Sequence, residues 1–289
     1  MGNADSVWLN GRIVDQAEGA VPPNDRGFLY GDGFFETTRI LNGRATFLDR
    51  HLARLARSCR AAEFSTEIDV AALTDGVREL IDRNGVRDGY MRVTVSRGAL
   101  SGALTALATE DPTILIDARR MELAPVDKAP AIVLARSVWR RNERSPLVGH
   151  KCLSYMENVL ALAEARGRGA DEVYFLNSRD LLAEGAITNL FWVKDGTVHT
   201  AAVDCGLLPG ITRGIVLALC TELGIPAEEG EYAEIRLLNA DEAFCTNSLR
   251  GVIPVRGFLE HPDVLERDGA VTGRLRQAYA DQARAGGEV

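Results

Sequence analysis

Residues 147–161 read LVGHKCLSYMENVLA, in which a lysine at position 151 separates a short extended run from an apolar segment with helical spacing. Lysine is rare in this chain. The other two lie in a proline-flanked connector (Lys128) and in the turn signal VKDG (Lys194), where both are expected to face water. Lys151 is expected to stand at the end of a strand, half enclosed. Lost hydration would make its amine available for a Schiff base, whereas the ordinary alternative is an exposed surface lysine.

The composition argues against several classes of partner. The chain has 289 residues, of which 46% are hydrophobic and 26% charged, which is typical of a globular protein with room for two domains. A net charge of −8 argues against nucleic acid and against an anionic membrane surface as partners. We find no signal-like leader and no long apolar run, and the five cysteines are scattered, so we expect a cytoplasmic protein with reduced thiols. Four histidines without ligand spacing predict no metal site.

Hydrophobic periodicity and turn residues predict strands and helices that alternate in both halves of the chain. The expected strands are 7–9, 12–14, 33–40, 90–96, 113–118, 132–137, 172–176, 189–193, 198–200 and 242–246. Two helices are expected to begin near Leu48 and at Thr212. Three more are expected at 70–84, from after Lys151 to about 166, and at 271–285. The fold class is therefore α/β (α+β). It is divided into a domain at 1–121, a proline-containing connector at 122–130 and a domain at 131–289 that carries Lys151.

Two segments have features that suit a phosphate group. The run GITR, at 210–213, places a glycine before a helix start, so that backbone N–H groups and the helix dipole favour an anion there. An ordinary helix cap made by Thr212 is the alternative. Arg54 lies on an otherwise apolar helix face, where a buried guanidinium is costly unless it meets an anion. A solvated helix face is the alternative there.

Two further segments place polar groups beside a strand. Glu184, in the run LAEGAITN at 182–189, offers a carboxylate that would keep a pyridine nitrogen protonated, although Glu-Gly before a strand is also a plain turn. The run TNSLRG, at 246–251, ends a strand in a tight turn whose small donors suit a phosphate or carboxylate, or is simply a β-turn. An amine, a phosphate cradle and a partner for a pyridine nitrogen are together what pyridoxal 5'-phosphate requires.

In this order the segments resemble the class IV aminotransferase family, the fold-type IV pyridoxal phosphate enzymes. The likeness extends from residue 10 to residue 255 and includes DRGFLYGDGFFE at 25–36 and HLARL at 51–55. It implies a two-domain α/β enzyme that works as a homodimer and binds its cofactor between the domains.

The resemblance also implies roles for individual residues. Lys151 would form the aldimine with the cofactor and move protons, while Glu184 would pair with the pyridine nitrogen and Leu208 would pack against the ring. The phosphate would be held by Arg54, Ser248 and the backbone of Ile211 and Thr212. Substrate contacts are implied for Phe35, Arg39, Tyr90, Arg92, Arg97, Asn247 and Leu249.

Within the family, most of the distinguishing residues favour the 4-amino-4-deoxychorismate lyases. The runs RNERSPLVGHK at 141–151 and TNSL at 246–249 are similar to lyase patterns, and 96–103 lacks the Arg-x-His carboxylate trap of the D-amino-acid enzymes. In contrast, YMR at 90–92 and Arg39 resemble branched-chain aminotransferases. The lyase interpretation implies that a small amino substrate yields 4-aminobenzoate and pyruvate, in folate biosynthesis. The alternative is an aminotransferase acting on D-amino acids, branched-chain amino acids or (R)-amines.

Overall fold

The computed structural model describes residues 6–100, 102, 103, 105, 111–261 and 269–286. Within them the chain forms two compact units, each with its own sheet and hydrophobic core. The N-terminal unit takes the described residues of Met1–Leu123, His150–Tyr155 and Ala283–Val289, and the C-terminal unit those of Ala124–Gly149 and Met156–Gln282. The predicted α+β class is confirmed, because helices and two separate sheets are both present.

Every strand and helix expected from the sequence is found, with ends shifted by a few residues. The helices are α1 Arg26–Tyr30, α2 Leu48–Ala61, α3 Val70–Asn84, α4 Met156–Gly167, α5 Ile211–Glu222, α6 Ile235–Leu238 and α7 Ala270–Arg284. The strands are β1 Ser6–Leu9, β2 Arg12–Asp15, β3 Gly33–Leu41, β4 Arg44–Ala45, β5 Gly89–Ser96, β6 Thr113–Arg120, β7 Ile132–Arg141, β8 Glu172–Asn177, β9 Asn189–Lys194, β10 Thr197–Ala201, β11 Ala227–Gly230, β12 Glu242–Asn247 and β13 Gly251–Phe258. The helices α1 and α6 and the strands β4, β11 and β13 are additions to the sequence prediction.

The sheet of the N-terminal unit pairs its described strands in the antiparallel order β2-β1-β6-β5-β3-β4. Side chains alternate between its two faces, as they must in extended backbone. One face packs into the core with helices α2 and α3; its residues on β3 and β5 are Phe34, Ile40, Met91, Val93 and Val95. The intervening residues of the same two strands therefore line the opposite face, which is the face that concerns function.

The segment His150–Tyr155 joins the N-terminal unit, although we expected it in the C-terminal domain. Two backbone hydrogen bonds explain the difference: the N–H of Phe35 donates to the carbonyl oxygen of Lys151, and the N–H of Leu153 donates to that of Gly33, both at 2.9 Å. Helix α4 consequently begins only at Met156. The close approach of this segment also explains why residue 31 is a glycine. Its φ is 67°, and a Cβ at this position would collide with Ser154.

The sheet of the C-terminal unit is mixed and runs in the order β11-β10-β9-β12-β13-β7-β8 through its described strands. The pairs β10/β11, β13/β7 and β7/β8 are parallel, and the other neighbouring pairs are antiparallel. Helix α4 connects the parallel strands β7 and β8, as parallel pairing requires a crossover. It packs through the small buried side chains of Ala161 and Ala165, which lie in one cluster with Val173 and Phe175 of β8.

Candidate active site

The amine of Lys151 is surrounded by aromatic rings. Its Nζ lies 4.3 Å from the ring centroid of Phe35 and 5.1 Å from that of Tyr155. The two rings meet edge to face, with centroids 5.2 Å apart. Lys151 is half-buried, in agreement with the predicted partial enclosure. A lysine in this setting keeps little water around its amine, which favours reaction with a carbonyl group.

Four predicted substrate residues lie on the face of the sheet that points away from α2 and α3. Arg39 is paired with Tyr90 in the β3/β5 register, while Thr37 pairs with Arg92 and Phe35 with Thr94. By alternation, Phe35, Arg39, Tyr90 and Arg92 therefore share one face. Because the ring of Phe35 also contacts Lys151, this face carries both the amine and two guanidinium groups.

Arg92 is the cation that is placed most directly beside the amine. Its guanidinium carbon lies 3.8 Å from the centroid of Phe35, the ring that also contacts Lys151. Burial lowers the pKa of Arg92, while Tyr155, Tyr90 and Asp117 act in the opposite direction. A guanidinium that lies over an aromatic ring keeps its N–H donors in its own plane, where a carboxylate can accept two of them.

Arg54 is buried, as its position on an apolar helix face predicted, and it meets an anion that belongs to the protein. Its Nε and Nη2 donate to the two carboxylate oxygens of Glu36, at 2.7 and 2.8 Å. Nδ1 of His51 lies 2.6 Å from Glu36 Oε2. Burial alone would raise the pKa of Glu36, but the charges and hydrogen bonds of Arg54 and His51 outweigh it and lower that pKa to about 2.

Arg97, a predicted substrate residue, is held by several contacts within the N-terminal unit. Its guanidinium donates to Asp32 (Nε to Oδ2, 3.0 Å) and to the backbone oxygens of Ala62 (2.8 Å) and Glu63 (3.3 Å). It also lies 4.3 Å from the centroid of Phe64. Its side chain is 4% exposed.

In the C-terminal unit, the predicted cofactor residues Glu184 and Leu208 are joined by a hydrogen bond. The backbone N–H of Leu208 donates to Glu184 Oε2 at 3.0 Å. Asn189 donates from Nδ2 to the carbonyl oxygen of Leu208 at 2.8 Å and to Glu184 Oε2 at 3.5 Å. Nη2 of Arg141 lies 3.4 Å from Glu184 Oε1. The carboxylate is thus fixed by a cation, an amide and a backbone N–H.

Helix α5 begins at Ile211, and its first turn is open to an anion. Its N-cap is Gly210, so no side chain within the described residues caps the helix. The alternative that Thr212 is the capping residue is therefore wrong; its hydroxyl lies 3.4 Å from that of Tyr279. Gly210 has no room for a Cβ, which would collide with Oδ1 of Asn189. Uncapped N–H groups at a helix start form a ready anion site.

The predicted tight turn follows β12. Asn247 shapes it, because its Oδ1 accepts hydrogen bonds from the backbone N–H groups of Leu249 (3.2 Å) and Arg250 (2.9 Å). Ser248 is half-buried within the turn. One step back along β12, Thr246 pairs with Asn189, and its Oγ1 is buried without a hydrogen-bond partner among the described residues. A buried hydroxyl without a partner is costly, which fits a polar ligand at this strand end.

The sequence interpretation missed several residues that hold these groups in place. Glu36 binds Arg54, His51 binds Glu36, and Arg141 and Asn189 bind Glu184. Arg141 and Asn189 are the last residue of β7 and the first of β9, where a polar residue beside a buried strand was the available signal. For Glu36 the signal was a carboxylate on the face of β3 that also carries Phe34 and Ile40.

Cysteine thiols and metal ligands are the other candidate reactive groups. All five cysteines lie in the described ranges and are free and buried. Burial raises the pKa of the Cys152 thiol to about 11, which argues against a nucleophilic role beside Lys151. The described residues contain no group of three or more His, Cys, Asp or Glu side chains that could hold a metal ion. None of the described helices has both the length and the apolar character needed to cross a membrane.

Comparison with known proteins identifies one family. The model of the amino-transferase class IV family matches residues 33–258. The aminodeoxychorismate lyase of Bacillus subtilis (strain 168) is 29% identical over 96% of this chain and 94% of its own length. The D-alanine aminotransferase of Bacillus licheniformis is 33% identical over 86% of this chain and 87% of its own.

Solved structures give the same result. The 4-amino-4-deoxychorismate lyase from Pseudomonas aeruginosa matches with a TM-score of 0.83 and 29% identity, over 96% of this chain and 99% of that one. The branched-chain aminotransferase from Thermoproteus uzoniensis, solved with norvaline, matches with a TM-score of 0.88 and 30% identity, over 98% and 96%. Such enzymes depend on pyridoxal phosphate and have fold type IV, as the resemblance implied. This chain therefore belongs to the amino-transferase class IV family.

Proposed function

We propose that the protein is a pyridoxal-phosphate-dependent lyase that converts 4-amino-4-deoxychorismate into 4-aminobenzoate and pyruvate. The observation that carries the proposal is the shared sheet face on which the amine of Lys151 lies beside Phe35 with Arg39 and Arg92. This substrate carries two carboxylates, and two arginines on the amine's face suit a dicarboxylate. The similarity to aminodeoxychorismate lyases supports the same conclusion.

The family resemblance assigns the cofactor contacts to individual residues. Lys151 would bind its aldehyde carbon, and Glu184 would pair with its pyridine nitrogen. Leu208 would pack against the ring. The phosphate would be held by Arg54, Ser248 and the backbone N–H groups of Ile211 and Thr212. The uncapped start of α5 and the unpartnered Thr246 hydroxyl fit this assignment.

When bound, the cofactor supplies an electron-accepting ring that stabilises negative charge on the carbon bearing the substrate amine. Lys151 would then act as general base and take the proton from that carbon. Arg141 and Asn189 keep the Glu184 carboxylate in one orientation, and Arg92 would hold a substrate carboxylate through two hydrogen bonds. Loss of the enolpyruvyl ether, which takes up a proton as it leaves, yields pyruvate and the aromatic product.

An aminotransferase is the second candidate. Tyr90 and Arg92 share the face that carries Lys151, in the spacing that resembles branched-chain enzymes, and the D-alanine aminotransferase of Bacillus licheniformis is 33% identical. The two candidates use the same residues. In an aminotransferase, Lys151 would return the proton to the cofactor. In the lyase, the substrate would instead lose its enolpyruvyl group.

We further propose that the protein works as a cytoplasmic homodimer. Exposed apolar side chains support an interface with a second copy: Phe28 is 78% exposed, Met156 68% and Val138 62%. An interface with a second copy would cover such side chains.

The test is an assay of pyruvate and 4-aminobenzoate release from 4-amino-4-deoxychorismate, with Lys151→Ala as the background. Release in equal amounts, lost in the variant, supports the lyase, and no release above that background rules it out. The visible absorbance in the presence of D- and L-amino acids then separates the candidates. An aminotransferase loses its yellow band with one enantiomer, and a lyase keeps its band with both.

A further inference from the structure

We infer that Glu36 is a positioning residue that orients the guanidinium of Arg54 toward a phosphate. This inference rests on the proposed function, because it assigns the phosphate to Arg54. Glu36 is not among the residues that the family resemblance implied. It emerges from the pairing of β3 with α2 in the N-terminal unit.

The geometry of the pair fixes the guanidinium plane. Glu36 accepts from both Nε and Nη2 of Arg54, at 2.7 and 2.8 Å, which is a two-point contact along one edge of the group. A single hydrogen bond would let the group rotate, whereas a two-point contact between planar groups sets its orientation. Both side chains are almost inaccessible, 5% and 1% exposed, so water does not compete for these bonds.

His51 fixes the carboxylate in turn. Its Nδ1 lies 2.6 Å from Glu36 Oε2, and its ring is 1% exposed. His51 and Arg54 are one helical turn apart on α2, so both contact Glu36 from the same face of the helix. Two residues of α2 thus bind the one carboxylate from β3. The carboxylate cannot turn without breaking a buried hydrogen bond.

Charge balance explains why a carboxylate is needed here. A guanidinium without a counter-ion is very unfavourable in the core, and the cofactor would not be present while the chain folds. Glu36 supplies the counter-ion and, at the same time, directs the group. We therefore expect Glu36 to affect the contact made by the phosphate and to leave the contacts made by the ring unchanged.

The experiment compares two ligands that differ only in the phosphate. Pyridoxal phosphate and pyridoxal are titrated into the full-length, cofactor-free protein, and tryptophan fluorescence gives the Kd of each. The ratio of the pyridoxal Kd to the pyridoxal phosphate Kd measures the contribution of the phosphate. We expect Glu36→Gln to lower this ratio about 10-fold, as for loss of a charge-assisted contact, with the pyridoxal Kd unchanged.

A double-mutant cycle separates positioning from general destabilisation. Arg54→Gln alone should lower the ratio at least as far, and adding Glu36→Gln to it should change the ratio less than twofold. Glu67→Gln and Arg57→Gln, at exposed positions on the same unit, serve as controls with unchanged ratios. If Glu36→Gln raises both Kd values equally, or acts just as strongly in the Arg54→Gln background, the inference is wrong.

Failure of the proposed cofactor binding gives a different result, because the wild-type protein would then show no preference for pyridoxal phosphate over pyridoxal; failure of the lyase reaction alone is detected separately by the pyruvate assay. Should Glu36→Gln not fold, Glu36→Asp keeps the charge but withdraws the carboxylate by one methylene group. The inference expects a lowered ratio for Glu36→Asp as well. A ratio equal to that of the wild type in this variant would overturn it.

Discussion

The backbone N–H of Phe35 donates to the carbonyl oxygen of Lys151 at 2.9 Å, and the ring of the same Phe35 lies 4.3 Å from the lysine amine. One residue thus fixes both the main chain and the side chain of Lys151. The ring also lies beneath Arg92, at 3.8 Å from the guanidinium carbon. Phe35 therefore sets the spacing between the proposed base and a proposed carboxylate-binding group.

The variant Phe35→Leu should lower kcat about 10-fold while the protein remains folded. The backbone hydrogen bond is kept, but the flat surface that positions Lys151 and Arg92 is lost, and small displacements of catalytic groups are costly. Steady-state pyruvate release measures the effect. Phe64→Leu is the matched control, because its ring lies beneath Arg97 and does not contact Lys151. Equal losses in the two variants would contradict this role for Phe35.

The variant Glu184→Gln should lower kcat by about 100-fold and leave the cofactor bound. The amide can still accept from the N–H of Leu208, but it has no charge to keep the pyridine nitrogen protonated, and losing such electrostatic stabilisation costs about 10²–10³ in rate. Visible absorbance monitors the cofactor. Glu157→Gln is the control, since Glu157 binds the other side of Arg141, at 2.8 Å from Nη1. Comparable activity of Glu184→Gln and wild type would exclude the proposed role.

Glu36 should account for part of the folding stability that the protein loses at acid pH. Its pKa is lowered from 4.5 to about 2 in the folded protein, so the unfolded chain binds this proton at a higher pH than the folded one. The stabilisation is present above pH 4.5 and is lost as the pH falls from there toward 2, and it amounts to about 3 kcal/mol for a shift of this size. Urea unfolding at several pH values measures it. Glu36→Gln should be less stable than wild type at pH 6, with a gap that narrows toward pH 2; a gap independent of pH would contradict the ionised state.

The elements of the fold could be predicted because their signals are local. Asp69 caps α3 by accepting from the N–H of Ala72, and Gly85 ends it with a φ of 59°, both of which follow from residue type. The strand β13 was missed beyond the turn, because Pro254 lies inside it and a proline argues against a strand. The short helix α1 was missed because its five residues are too few to show a helical period.

The site was predictable only in part, because its supporting contacts join residues far apart in sequence. Lys151 was selected by its rarity and its neighbours, which sequence shows. No periodicity indicates that its segment pairs with β3, more than a hundred residues earlier. We therefore expected the segment in the C-terminal domain, whereas it belongs to the N-terminal unit. Likewise, Arg54 was expected to meet an anion, but the identity of that anion as Glu36 depends on the packing of a helix against a strand.

The five cysteines should be unreactive until the protein unfolds. Burial raises the pKa of Cys59 to about 12 and that of Cys152 to about 11, and it also raises the pKa values of Cys205, Cys220 and Cys245, so few thiolates exist at pH 8. Since the thiolate is the reactive form and each side chain is buried, a disulfide reagent such as Ellman's should react with no thiol rapidly in the native protein. In guanidinium chloride, all five should react. Rapid modification of Cys152 in the native state, with loss of activity, would mean that its thiol is open to the site and would reopen the question of a nucleophile beside Lys151.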